Sequence, residues 1–175
     1  MVQIECYVNP FSINVCSTAL HIRPATEADF PRLADMITAL AAFNGDQATV
    51  QLDDLRRDLL GPSPWLVVMV ASIHTSLIGY AALCPLARLQ FGQRGMDIHH
   101  LFVEAAYRGQ GVGKALLQAS VRKVEAMGCS YVKIATSDSN LVAQKAYLAA
   151  GFELEAVRGP KYKMNLKPFS PPSSS

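Results

Sequence analysis

The sequence carries little charge, and neither sign prevails. Its 16 Lys and Arg residues and 14 Asp and Glu residues give a formal net charge of +2, and charged residues make up only 17% of the 175. A surface for nucleic acid or anionic lipid usually shows as an excess of Lys and Arg. Since half of the residues are hydrophobic, the composition also excludes disorder over most of the chain. We expect one globular domain that binds neither nucleic acid nor membrane.

Cysteine is scarce, and export signals are missing. The four cysteines form no C-x-x-C pair and the four histidines have no zinc-finger spacing, so we expect no structural metal site. Scattered thiols with apolar neighbours are typical of a reducing cytoplasm. The first 20 residues contain no basic leader followed by a long apolar block, so we expect no signal peptide. These features predict a cytoplasmic protein.

Long uninterrupted hydrophobic runs are also missing. The most apolar stretch, 65–87, is broken by His74, Thr75 and Ser76 and contains Pro85. Neither part reaches the about 20 apolar residues that a spanning helix needs. Because the stretch is rich in β-branched residues and divided by a turn, it predicts two buried strands joined by a hairpin.

Strand and helix patterns alternate along the rest of the chain. Thr26-Glu27-Ala28-Asp29 resembles a capping box, and apolar residues at helical spacing follow it. We predict strands at 19–24, 65–73, 77–88, 96–104, 131–136, 152–157 and 162–166, a loop at 89–95, and helices at 30–40, 52–59, 111–127 and 140–150. This is a mixed α/β order. It places the domain at 20–167, between an N-terminal extension at 1–19 and a Pro- and Ser-rich tail at 168–175 that we expect to be disordered.

A glycine-rich loop, Tyr-Arg-Gly-Gln-Gly-Val-Gly-Lys at 107–114, joins the fourth predicted strand to the central helix. Glycines let the backbone approach a ligand, and the helix start offers unpaired N–H groups, so the pattern predicts a pyrophosphate site. A Walker loop is excluded because only three residues separate Gly109 from Gly113 and Ala115 replaces the Ser or Thr that binds magnesium. The spacing G-x-G-x-G also differs from the dinucleotide fingerprint.

The pattern R-x-x-G-x-G, at Arg108, Gly111 and Gly113, resembles the acetyl-CoA loop of the GNAT superfamily of N-acetyltransferases. The strand at 98–103 and the set Asn140, Tyr147 and Gly151-Phe152 also lie where that family has them, so the resemblance covers about 20–166. It implies a GNAT fold, in the α/β (α+β) class, with a central mixed, mostly antiparallel sheet of six or seven strands and about four helices. It also implies acetyl-CoA as co-substrate, no metal, and a possible homodimer. The cofactor-binding residues it indicates are Leu101, Phe102, Val103, Arg108, Gly109, Gln110, Gly111, Val112, Gly113, Lys114, Asn140, Ala143 and Tyr147.

Asn140, Ala143 and Tyr147 share one face of the last predicted helix, because residues three, four and seven apart lie above one another. Such a face can line the pantetheine arm of a cofactor. The resemblance implies that Asn140 contacts CoA and that Tyr147 is the acid that protonates the leaving thiolate. The alternative is that Tyr147 is a core residue with a hydrogen-bonded hydroxyl.

The strand before the glycine loop offers candidate bases. Transfer to an amine requires a group that removes a proton from the ammonium, and the developing oxyanion needs a hydrogen-bond donor. The resemblance implies a bulge that frees backbone groups around Leu101–Val103. Alternation groups Asp97 with His99, and groups His100 with Ile98 and Phe102. We predict His99 as the base, supported by Asp97, as in the similar arylalkylamine-type enzymes; His100, Glu104 or a water chain are the alternatives.

Together these features predict direct acetyl transfer from acetyl-CoA to a primary amine, because no cysteine lies in the strand or loop to carry the acetyl group. We expect a small-molecule acceptor. The segment 52–58 resembles diamine and polyamine acetyltransferases, but His99-His100 stands where those enzymes have Glu-Asp, which argues against a polycation. The loops at 43–45 and 89–95 would select the acceptor. The alternatives are a protein N-terminal or lysine acetyltransferase and a non-catalytic CoA-binding regulatory module.

Overall fold

Each strand of the sheet lies beside its neighbours in the chain. In a computed structural model, which describes residues 14–15, 18–155, 162 and 164, the strands follow the order β1-β2-β3-β4-β5-β6. All pairs are antiparallel except β5 and β6, which are parallel. The strands are β1 Asn14–Val15, β2 Thr18–Pro24, β3 Val67–Ile73, β4 Ser76–Arg88, β5 Gln93–Val103 and β6 Tyr131–Ile134. The helices are α1 Phe30–Phe43, α2 Leu52–Leu60, α3 Val112–Ala126 and α4 Leu141–Ala149, with short 3-10 helices at Glu27–Asp29, Leu89–Phe91 and Ala105–Tyr107.

The predicted fold class is confirmed: the sheet is mixed, mostly antiparallel, and flanked by four α-helices within the described residues. Five longer strands form the sheet, and the two-residue β1 adds a sixth at its edge. Of the two last predicted strands, the described part 152–155 is irregular, and the rest lies outside the described residues apart from 162 and 164. The predicted tail at 168–175 and most of the extension at 1–19 also lie outside them.

Both faces of the sheet are covered, which explains the long apolar stretch. Along β3 and β4 successive residues point alternately to α3 on one face and to α1 and α2 on the other, and both sets are buried. Strands buried on two faces are apolar at nearly every position. No helix in the part of the chain that the structure describes is long and apolar enough to cross a membrane.

The predicted capping box is present at the start of the 3-10 helix Glu27–Asp29, which leads directly into α1, and it is tied to β2. The carboxylate of Asp29 accepts hydrogen bonds from the Thr26 backbone N–H at 2.7 Å and from both terminal nitrogens of Arg23 at 2.6 and 2.8 Å. These donors, that of Arg23 first, lower the pKa of Asp29 to about 2. The interaction fixes the start of α1 against the edge of the sheet.

The predicted loop at 89–95 is wrong at its C-terminal end. Residues 93–95 belong to β5 and pair with Leu86, Ala87 and Arg88 of β4. Gly95 indicated a loop in the sequence, but its role is to make room: a Cβ there would lie 2.4–2.6 Å from ring atoms of Tyr131. The aromatic ring occupies the space that a side chain at position 95 would take.

Candidate active site

The glycine-rich loop presents free backbone amides at the start of α3. The first hydrogen bond of this helix runs from the amide of Ala115 to the carbonyl of Gly111, so the amides of Val112, Gly113 and Lys114 precede the helical ladder. Gly111 is the N-cap and has no side chain to cover them. These N–H groups and the positive end of the helix dipole form a site for an anion.

Two glycines of this loop adopt backbone conformations that other residues avoid. Gly109 has a φ of +73° and Gly111 a φ of +84°, and a Cβ at either position would have no protein atom within 4 Å. Glycine is therefore needed for the backbone angle, and the space beside it stays open to a ligand. Arg108 supports the loop: its Nε donates to the carbonyl of Val103 at 2.9 Å, and its guanidinium lies 5.7 Å from the ring centre of Phe43.

The strands β5 and β6 separate where the reaction is expected. They pair only between Gly95–Ile98 and Tyr131–Ile134, whereas β5 continues to Val103. Within the described residues, the segment 101–103 therefore has β4 on one side and no strand on the other. Backbone groups on that open side lack sheet partners, which gives a ligand access to the β5 backbone.

The predicted bulge is present, but it lies at His99 and not at 101–103. Leu83 pairs with Ile98 and Ala82 pairs with His100, so His99 is the additional residue in β5. This corrects the predicted grouping of Ile98 with Phe102. Ile98 packs in the core under α3, whereas Phe102 is buried in the core under α1 and α2, because the bulge reverses the alternation.

His99 projects into solvent beside Asp97. Its side chain is 62% exposed, and its Nδ1 lies 4.0 Å from Oδ2 of Asp97. Its ring also stacks on that of His100, with the ring centres 4.6 Å apart. The bulge thus keeps the predicted pair of Asp97 and His99 in contact while leaving the His99 imidazole open to a ligand.

His100 is half-buried and faces the α1–α2 side of the sheet. Its Nδ1 lies 3.0 Å from the hydroxyl of Tyr80, a fully buried residue of β4. Burial, and to a smaller degree the neighbouring charge of His99, lower the pKa of His100, and burial raises the pKa of Tyr80. Sequence analysis missed Tyr80, because nothing in the sequence indicates contact between residues 20 positions apart on two strands.

A cavity of about 370 Å³ opens beside His100. Apolar residues of α1 and of the segment before α2 line it, among them Ile37, Leu40 and Val50. The carboxylates of Asp46 and Asp54 lie in the same lining. The cavity thus combines apolar walls from α1 with polar groups from the loop after it, from α2 and from His100.

The predicted face of α4 is oriented inward at Ala143 and Tyr147, whereas Asn140 at its start is exposed. Ala143 and Tyr147 are partly buried, and Tyr147 packs against the core under α3. Asn140 caps the helix, since its Oδ1 accepts the amide of Ala143 at 3.1 Å, which leaves its NH₂ group for other partners. Burial raises the pKa of Tyr147, so its phenol carries a proton at neutral pH. None of the nine residues of this fully described helix is completely buried, so α4 packs loosely against the sheet.

Glu104, an alternative base in the sequence, already has a partner. Its carboxylate forms an ion pair with Arg32 of α1 and lines a different cavity, of about 460 Å³, at the end of the β3–β4 hairpin. Among the described residues, no three His, Cys, Asp or Glu side chains converge to hold a metal ion.

Comparisons with known sequences agree with this geometry. The sequence profile of the acetyltransferase (GNAT) family matches residues 33–152. A thialysine N-epsilon-acetyltransferase of Bos taurus is 28% identical over 140 residues, which are 74% of this chain and 82% of that protein. A [ribosomal protein bS18]-alanine N-acetyltransferase of Haemophilus ducreyi is 34% identical over 67 residues, 38% of this chain and 46% of that protein.

Solved structures share the fold. An aminoglycoside acetyltransferase from an uncultured soil metagenomic sample superimposes with a TM-score of 0.71 at 20% identity, over 83% of this chain and 97% of that one. A ribosomal-protein-alanine N-acetyltransferase of Brucella melitensis gives a TM-score of 0.65 at 20% identity, over 85% and 100% of the two chains. At this identity the similarity concerns the fold alone.

Proposed function

Because the chain belongs to the acetyltransferase (GNAT) family, we propose that it transfers the acetyl group of acetyl-CoA directly to a primary amine of a small molecule. One observation carries the proposal: the free amides at the start of α3 and the open side of β5 lie at the two ends of the segment 101–114. A ligand with an anionic end and a reactive end can occupy both. The family uses acetyl-CoA, which has this form.

The residues present fit such a ligand. The amides of Val112, Gly113 and Lys114 would bind its pyrophosphate, since no side chain forms a capping hydrogen bond at this helix start. The inward face of α4, with Ala143 and the free NH₂ group of Asn140, would contact the pantetheine arm. The thioester supplies the activated acetyl group when it is bound. The backbone N–H groups of Leu101 and Val103, which face away from β4, would then donate to its carbonyl oxygen.

We assign the acid and the base to two side chains on either side of β5. His99 would remove the proton from the acceptor ammonium, with Asp97 stabilising the imidazolium that results. Tyr147 would donate its proton to the sulfur as the C–S bond breaks, and the second proton that the nitrogen loses on becoming an amide would restore the phenol. Burial raises the pKa of Tyr147, so the phenol holds its proton until the transfer begins.

The cavity beside His100 supports a small acceptor. Its volume of about 370 Å³ is sufficient for a small molecule but too small for a folded protein segment. The similarity to a thialysine acetyltransferase, which extends over most of both chains, favours the same class. Acetylation of a protein amine is the second candidate, since a relative that matches 67 residues of the chain acts on a ribosomal protein. The homodimer and the cytoplasmic location stay predictions.

Two experiments test the proposal. Calorimetry measures the binding of acetyl-CoA and CoA, and an assay for free thiol measures transfer to a panel of small amines and to a panel of peptides. We expect binding of both nucleotides and thiol release with at least one small amine. Thiol release only with peptides would favour the protein acetyltransferase. Binding without thiol release from either panel would identify a non-catalytic CoA-binding module.

A further inference from the structure

The contact between Tyr80 and His100 fixes the tautomer of a histidine in the acceptor cavity. Tyr80 is 0% exposed, and its hydroxyl lies 3.0 Å from Nδ1 of His100. Within residues 18–155, Nδ1 of His100 is the hydrogen-bond partner that the structure gives this hydroxyl. A buried hydroxyl must donate its hydrogen, since leaving it unpaired is unfavourable. The phenol therefore donates, and Nδ1 accepts.

A neutral imidazole has one N–H, so an accepting Nδ1 requires the hydrogen on Nε2. His100 is held neutral by its burial and by the stacked ring of His99, which together lower its pKa. Nε2 is also the nitrogen left for the cavity, because Nδ1 is taken. The imidazole then offers a hydrogen-bond donor to the cavity and has no free lone pair with which to accept a proton.

We propose that Tyr80 locks His100 in the Nε2–H form, so that His100 is a positioning residue that donates to an oxygen of the acceptor molecule and is not the catalytic base. The inference rests on the proposed function for the identity of the cavity's ligand. It narrows the acceptor class to amines that carry a carbonyl, carboxylate or hydroxyl oxygen near the reacting nitrogen. It also leaves His99, whose ring is exposed, as the histidine of the pair that can take up a proton.

The titratable side chains around His100 come from several elements of the fold. Tyr80 of β4 and His99 of β5 contact the ring directly. Asp46, in the loop after α1, and Asp54 of α2 line the same cavity. Asp54 already accepts from Arg57 and from the amide of Gln51, each at 3.0 Å. An oxygen-bearing amine would thus meet a donor at His100 and acidic residues, Asp46 and Asp54, in the same lining.

The tautomer can be measured without any activity. Two-bond ¹H–¹⁵N correlation spectra of the full chain, labelled in histidine, report which ring nitrogen carries hydrogen, and the exposed His21 and His74 provide references in the same spectrum. At pH 7 we expect only the Nε2–H form for His100, and a mixture of tautomers in Tyr80→Phe, which keeps the ring in the core. An Nδ1–H form or an imidazolium in the wild-type protein, or the same tautomer ratio in both proteins, would overturn the proposal.

Kinetics then separates a donor from a base. Gln mimics the Nε2 donor of His but does not titrate, so His100→Gln should lower kcat/KM less than His100→Leu. His100→Leu should raise KM about 10-fold for amines with an adjacent oxygen, and less for matched alkylamines. Equal losses of kcat in both variants, with loss of the acidic limb of the pH profile, would overturn the assignment. If no amine is acetylated at all, the proposed function fails, while the spectra still decide the tautomer.

Discussion

Replacing Gly111 by Ala tests the anion site directly. Gly111 has a φ of +84°, where an L-residue costs about 1–2 kcal/mol, so the variant should lose about 2–8 °C in Tm. The new Cβ has no protein atom within 4 Å and would enter the space beside the free amides of α3. Losing one amide–phosphate hydrogen bond costs about 1.5–3 kcal/mol, so we expect the Kd for CoA to rise about 10- to 100-fold.

The same helix provides the matched control. Gly128 follows α3 at its other end, with a φ of +72° and also no atom within 4 Å of an added Cβ. Gly128→Ala should therefore lower Tm by a similar amount and leave the Kd for CoA as in the wild-type protein. Gly113 lies in helical backbone, and a Cβ added there would make an ordinary contact with Val103 at 3.7 Å. Gly113→Ala should therefore retain both the stability and the CoA binding of the wild-type protein. Calorimetric titration of the three variants with CoA measures these differences. The reasoning is refuted if Gly111→Ala binds CoA as tightly as Gly128→Ala does.

Three further predictions concern proton transfer and stability. His99→Ala should lower turnover more at pH 7 than at pH 9, where more of an amine with a pKa of about 10.4 is neutral, and an unchanged pH–rate profile would exclude His99 as the base. Tyr147→Phe should lower kcat about 100-fold or more in a thiol-release assay, and a change confined to KM would contradict its role as the acid. Asp29→Asn should reduce the free energy of unfolding by on the order of 1–2 kcal/mol at pH 7, since Arg23 is partly exposed. The pKa of Asp29 is lowered from 3.8 to about 2 in the folded protein. Urea unfolding should therefore show the full difference in free energy between wild type and variant above about pH 4, and the difference should disappear as the pH falls through 2. A difference that does not change with pH would contradict this prediction.

The glycine loop and the inward face of α4 could be predicted because they depend on local spacing. Glycines just before a helix mark a turn and leave the first helical amides open wherever the helix lies, and Ala143 and Tyr147 share a face through helix geometry alone. The position of the bulge could not be predicted in this way. It depends on the register between β4 and β5, where Ala82 meets His100 and Leu83 meets Ile98. A shift by one residue reverses every side chain beyond it.

The sequence by itself determined the mixed α/β class, the glycine loop before α3 and the two adjacent histidines, because periodicity, glycine and helix caps act over a few residues. Only the tertiary structure decided how each histidine is placed. It exposed His99 at the bulge and buried the Nδ1 side of His100 against Tyr80, which lies on another strand. The two adjacent imidazoles thus differ in exposure and in hydrogen-bond partners, because both depend on residues that are distant in the chain.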